Sequence, residues 1–264
     1  MEFVEVDAGI VLFRGRQFDA NSTVILRGKE AFLVDGLASR AEAEELRRIL
    51  EEEWKVSVRF ILSTHYFSDH MAAFRLFPRA EIIAHRNAPQ TFWSEEFRTQ
   101  EEAGYFVEPT VAVSEGLVWK WGRYTLDIFY NPGHTASTLN VHVPEAGLLF
   151  AGDEAVGNIA YLHYSEPGLL SQALRRAALR GARRVVLAHG GVQSPEILEN
   201  AVSYLDTLGA HVRETRAESG EFETIGDIPL GKCLAPGLEG TEFERFFHAR
   251  NLKSIAARGL FPGS

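Results

Sequence analysis

The sequence predicts an α/β fold, and three observations carry that reading. Short apolar runs alternate along the chain with stretches of helical period. The run Val58–Leu62, a helical stretch and the run Glu81–His85 make a strand, helix, strand unit of the kind that joins parallel strands. Successive apolar runs also end in a histidine or aspartate, so that His65 to His70, His134, Asp153 and His189 all stand at strand ends or in the turns that follow.

Hydrophobic residues fill 45% and charged residues 24% of the 264 positions, a balance that suits a globular chain with a sizeable core. A net charge of -9 argues against a nucleic-acid partner, which needs clustered Lys and Arg. The start Met1–Asp7 is not basic, and no run approaches the roughly 18 apolar residues of a membrane helix. A soluble cytoplasmic protein without membrane contact is expected. The single Cys233 can form neither an internal disulfide nor, alone, a thiolate metal site. Residues 1–215 are expected to form the main domain, with 216–264 a C-terminal extension packed on it.

In chain order, Val11–Phe13, Thr23–Leu26 and Ala31–Val34 read as a meander. Asp35 at its end is either a turn residue or a partner for a ligand histidine. Ser39 and Glu42 form a capping box for an amphipathic helix that buries Ala43, Leu46, Ile49, Leu50 and Trp54. After the loop Thr64–His70, the stretch Met71–Phe77 reads as a short helix with Ser68 near its N-cap and Pro78 as its stop. His85 closes the next strand and is structural or exposed. From Phe92 to Gly116 no period is clean, which fits a lid or a packed surface loop.

Leu117–Trp121 and Tyr124–Tyr130 read as a hairpin leading to the turn Asn131–Thr135. Thr138–Val143 alternates, which leaves His142 exposed. A turn at Pro144–Gly147 returns the chain to Leu148–Ala151. A helix over Gly168–Leu179 and a strand over Arg183–Ala188 lead to His189. Ser194-Pro195 starts another helix. Glu218 to Pro236 reads as loop. Thr241 and Glu244 cap a last helix whose Phe243, Phe246 and Phe247 suit core or a homodimer contact.

Six residues then stand out together: His65, Asp69, His70, His134, Asp153 and His189. Imidazoles and carboxylates on converging loops suit Zn, Fe or Mn. The loop His65 to His70, Gly133-His134-Thr135, Gly152-Asp153 and the late His189 resemble, in order and spacing, the motifs of the metallo-β-lactamase superfamily. That resemblance covers roughly residues 10 to 190. It implies an αββα sandwich, two mixed β-sheets flanked by helices. One departure matters: Phe67 replaces the second histidine of the HxHxDH motif.

By the resemblance, one metal site is complete with Asp69, His70, Asp153 and His189, while the other keeps His65, His134 and the bridging Asp153. One or two zinc ions are implied, with Fe or Mn as alternatives. The implied activity is hydrolysis of a small ester, thioester, lactone or related acyl substrate by metal-activated water, with Asp69 orienting the nucleophile. Two other readings stay open. The remnant His65, His134, Asp153 resembles the iron site of persulfide dioxygenases, and Phe67 could mark a non-catalytic metal-binding member. Tyr66, Phe67, Tyr161, His163 and Tyr164 are candidate substrate contacts. His163 alternatively replaces the missing ligand or is an exposed loop histidine.

Overall fold

A computed structural model describes residues 1–219 and 223–262. Strands β1 (Glu2–Asp7), β2 (Ile10–Arg14), β3 (Asn21–Arg27) and β4 (Glu30–Val34) form an antiparallel meander. Helix α1 (Arg40–Arg48) returns the chain so that β5 (Ser57–Leu62) and β6 (Glu81–His85) add in parallel. After α2 (Ala88–Ser94) and α3 (Gln100–Ala103), the short β7 (Val111–Val113) completes the first sheet.

The second sheet is antiparallel from β8 (Gly116–Trp121) through β9 (Tyr124–Tyr130) and β10 (Leu139–Val143) to β11 (Leu148–Gly152). Helix α4 (Pro167–Ala178) then carries the chain to β12 (Arg184–Leu187), parallel to β11, and β13 (Val192–Gln193) forms the edge. Helices α5 (Glu196–Ser219), α6 (Leu230–Cys233) and α7 (Glu242–Arg258) follow.

Alternation along the strands explains the layering. Ile10, Leu12, Ile25 and Phe32 face the second sheet and meet Leu126, Ile128, Val141 and Phe150. Their neighbours Val11, Phe13, Val24 and Leu33 face outward under α1. On the far side Leu149, Ala151, Val185 and Leu187 pack beneath α4, α5 and α7 through Leu174, Leu205, Leu252 and Ile255. Strands covered on both faces need apolar residues at every position, which is why these read as continuous apolar runs. The result is the expected αββα sandwich.

Several elements differ from expectation. The capping box on α1 is half made: Ser39 accepts the Glu42 N–H at 3.3 Å, but the buried Glu42 carboxylate instead accepts the Arg16 N–H at 2.5 Å. In place of a helix over Met71–Phe77 there are two 3-10 turns, Ser68–His70 and Phe74–Leu76. The reason is competition for backbone partners, since Gly36 N–H donates to His70 O at 2.7 Å and Ala73 N–H to Gly36 O at 2.9 Å. The aperiodic stretch Phe92–Gly116 contains α3 and β7. His142 is half-buried rather than exposed, and His85 is structural, stacked on Tyr130 at 4.2 Å.

The strand β1 has no counterpart in the sequence reading: it is an edge strand whose Glu2 to Glu5 are exposed on both faces, so no apolar alternation marks it. The stretch expected as loop from Glu218 to Pro236 contains a 3-10 turn, Glu223–Asp227, and α6, while its positions 220–222 lie outside the described residues. Helix α5 runs unbroken through positions 215 and 216. Among the described residues no helix is long and apolar enough to cross a membrane.

Candidate metal centre

All six candidate ligands meet at one end of the sandwich, where β5, β9, β11 and β12 release their chains. Asp153 stands at the middle. Its Oδ2 lies 3.7 Å from His65 Nε2, 3.6 Å from His70 Nε2, 3.8 Å from His134 Nε2 and 3.5 Å from His189 Nε2. Asp69 adds Oδ1 at 3.3 Å from His70 Nε2 and Oδ2 at 3.6 Å from His189 Nε2. The donors divide into two sets, His65, His134, Asp153 and Asp69, His70, His189, each spanning no more than 4.8 Å.

These separations fit cations. Two donors on one tetrahedral zinc, each about 2.1 Å from it, sit roughly 3.4 Å apart. Buried polar atoms ordinarily find partners, yet the Nε2 atoms of His65, His70 and His134, each within 3.8 Å of Asp153 Oδ2, have no hydrogen-bond partner within the described residues. Unpaired donors converging on one point are what an ion satisfies.

The surrounding residues aim the rings. Thr64 donates its N–H to Asp35 Oδ1 and its Oγ1–H to Asp35 Oδ2, both at 2.8 Å. The Thr64 oxygen is then free to accept from His65 Nδ1, 3.2 Å away, which turns the Nε2 lone pair inward. His189 Nδ1 donates to the Phe18 carbonyl at 2.8 Å with the same effect. Asp35 thus serves both readings: its φ of 58° makes the turn, and its carboxylate fixes the residue that orients His65. Gly152 has a φ of 56°, and a Cβ there would meet Thr64 Oγ1 at 2.9 Å, so only glycine lets β11 deliver Asp153 this close to the ligand loop.

Electrostatics follow from burial and close charge. Burial, aided by the neighbouring His70, pushes His65 well below its ordinary range, and burial lowers His134. Burial also works against His70, but the carboxylates of Asp69 and Asp153 outweigh it and raise that imidazole to about 10. Asp153, despite burial, is held well below the usual carboxylate range by His189 and His70. Burial raises Asp35 to about 6.

Above the donors lies a pocket of about 220 Å³ whose walls are largely aromatic: Phe18, Phe67, Phe97, Tyr161, Tyr164, Phe246 and Phe247, with Arg250 among them. The Phe67 ring sits edge-on to His65 at 5.3 Å and to His134 at 5.5 Å, against the His65, His134, Asp153 set. Tyr161 and Tyr164 are wall residues, Tyr164 packing on Phe67 at 4.6 Å. Tyr66 is not in the pocket. It is fully buried on the other side of the loop, with its hydroxyl on Val107 O at 2.6 Å and its ring on Phe74. Nor does His163 reach the centre, because its nitrogens face Ser254 Oγ and Glu96 Oε2, each at 3.2 Å.

The terminal helix packs Phe243 and Phe247 against the core, one of the two places expected for the stripe, and also reaches the site. Phe247 and the half-exposed Phe246 line the pocket and Phe243 packs on His189 at 5.7 Å, so the stripe walls the site. Sequence reasoning also missed Glu95, whose two oxygens accept the Ser68 Oγ–H at 2.7 Å and N–H at 3.0 Å and so anchor the ligand loop from the α2 side.

Comparison with known proteins agrees with this geometry. Residues 15–189 match the metallo-beta-lactamase superfamily. The chain is 26% identical over 182 residues to the atrochrysone carboxyl ACP thioesterase of Aspergillus fumigatus, covering 67% of this chain and 52% of the relative, so it spans about half that protein's length. It is 24% identical over 202 residues to the metallo-beta-lactamase type 2 of Bacillus cereus, covering 73% and 75%. Among solved structures, a stereoselective inverting sec-alkylsulfatase from Pseudomonas sp. superposes with a TM-score of 0.75 at 13% identity, over 98% of this chain and 50% of that one. A metallo-beta-lactamase from Pontibacter korlensis superposes at 0.64 with 18% identity, over 78% and 98%. These structural likenesses speak for the fold. With its matched region ending on the last of six converging ligands, the chain belongs to the metallo-beta-lactamase superfamily.

Proposed function

We propose that the chain is a metal-dependent hydrolase of a small acyl substrate, an ester, thioester or lactone. The observation that carries this reading is the pair of three-donor sets lying side by side beneath one aromatic pocket. The matched relatives named as a thioesterase and a beta-lactamase support an acyl bond as the target. A divalent cation held by these two donor sets would supply Lewis acidity, lowering the pKa of a water toward neutrality and polarising the acyl oxygen.

The protein's own residues do the rest. Asp69 is the least buried of the donors and faces the pocket, placed to orient the attacking water and to take its proton at a carboxylate oxygen. The water oxygen joins the acyl carbon, the bond to the leaving oxygen or sulfur breaks, and Asp69 passes the proton to that leaving atom. Phe67, Tyr161 and Tyr164 exclude bulk water and hold the apolar part of the substrate.

The donor set His65, His134, Asp153 favours a second reading, an iron oxidoreductase, because two imidazoles and one carboxylate are the ligands of non-haem iron. Metal analysis of purified protein alongside a panel of aryl esters and thioesters separates the two. Zinc content that tracks hydrolysis supports the first reading. One equivalent of iron, with no cleavage of any panel member, overturns it.

A further inference from the structure

Arg250 is half-buried in the wall of the pocket, and among the described lining residues it is the one Lys or Arg. Its guanidinium lies 4.8 Å from the Phe97 ring and 4.8 Å from the Phe246 ring, so two aromatic faces hold its plane. A guanidinium offers five N–H donors. The one hydrogen bond it makes among the described residues is a long one, Nη1 to the Tyr161 hydroxyl at 3.5 Å, and no described carboxylate lies within 4.0 Å of it. Four carboxylates share this pocket and each is engaged elsewhere: Glu95 holds Ser68, Glu102 accepts the Thr99 N–H at 2.7 Å in its own capping box, and Asp69 and Asp153 belong to the donor sets. A preoriented guanidinium in an aromatic wall, with no described carboxylate in ion-pair contact, keeps donors open to an anion.

Tyr161 gives the distance relation. Its ring stacks toward His134 with centroids 6.4 Å apart, and its hydroxyl points to Arg250. The guanidinium therefore sits one tyrosine beyond the donor cluster. We propose that Arg250 is the anion-reading residue of this pocket and that the substrate is an acyl compound carrying a carboxylate at the end of its acyl chain remote from the scissile bond. This rests on the hydrolase reading above. The acyl carbon lies over the donors, the apolar linker lies along Tyr161 and Phe247, and the carboxylate meets the guanidinium side-on.

The test uses the metal-loaded enzyme and two matched substrates, the S-phenyl thioester of glutarate with its free carboxylate and that of glutaramate with a carboxamide in its place. The expected result is a wild-type preference for the carboxylate of roughly tenfold to a hundredfold in kcat/KM, expressed mainly in KM. In Arg250→Gln that ratio collapses toward one, and Arg250→Lys recovers part of it. Equal rates on the two thioesters in the wild type, or a preference that survives Arg250→Gln, overturns the proposal. If neither thioester is cleaved, the hydrolase reading fails separately, and calorimetry decides on Arg250. Phenylacetate must then bind at least tenfold tighter than phenylacetamide in the wild type and lose that margin in Arg250→Gln. An unchanged margin would mean that the carboxylate is held by the metal, and the subsite is refuted.

Discussion

Asp35 grips Thr64 at two points, the backbone N–H and the side-chain hydroxyl, each at 2.8 Å, so a carboxylate 30 residues upstream fixes the orientation of His65. Asp35→Asn keeps the size but turns an NH₂ group toward one of these donors. The expected outcome is a loss of about tenfold to a hundredfold in metal affinity, the usual cost of removing such an orienting partner. Competition against a chromogenic chelator measures it, and unchanged affinity would show that Thr64 orients His65 unaided.

Metal uptake should depend on pH in a defined direction. His70 is raised in the metal-free protein from its ordinary 6.5 to about 10, against burial, by Asp69 and Asp153. A ligand must shed its proton to bind. Apparent zinc affinity should therefore climb by roughly tenfold per pH unit between 6.5 and 10, with about one proton released from His70 per ion at pH 8. The same raised value means that the stability His70 lends the metal-free protein is fully present below pH 6.5 and is lost as pH rises through 10. Calorimetry in buffers of different ionisation enthalpy counts the protons.

Phe67→His restores a nitrogen donor where the ring now stands edge-on to His65 and His134. Tighter binding at the His65, His134, Asp153 set is expected, with zinc content moving toward two per chain. Metal analysis of the two proteins, dialysed side by side, reads the change, and equal content would refute the role given to Phe67.

Asn251 is fully buried and ties three groups together: its Oδ1 accepts the Leu162 N–H at 2.7 Å, and its Nδ2 donates to Ala160 O at 2.7 Å and to the Tyr204 hydroxyl at 2.9 Å. Asn251→Ala leaves these partners unsatisfied, and a loss of about 3 kcal/mol in urea unfolding is expected. Because the loop it holds carries Tyr161, KM should rise as well. A variant with wild-type stability would contradict the clamp.

The ligands were legible because a strand's end fixes where a side chain emerges, and the ends of four strands, β5, β9, β11 and β12, lead into the six His and Asp. The difference between Tyr66 and Phe67 was not legible, because the chain bends at Thr64 and His65 and offers no strand period there. In the folded loop His65 and Phe67 face the site and Tyr66 enters the core. The role of α7 was not legible. Spacing puts Phe243, Phe247 and Arg250 on one helical face, but which surface that face meets is decided by packing against loops some 90 residues away, such as Glu244 on the Asn158 N–H at 2.6 Å. The two 3-10 turns escaped for a similar reason, since the Gly36 backbone claims the groups that a helix would have used.

Helix α7 supplies three walls of the pocket and none of its donors. The donors all lie within the first 189 positions and these three lining residues some 60 positions later, so separate stretches of chain hold the ion and close this side of the pocket. Exchanging Phe246, Phe247 or Arg250 would reshape that wall without removing a metal donor, while Asn251, Leu252 and Ile255 keep the helix seated on the core.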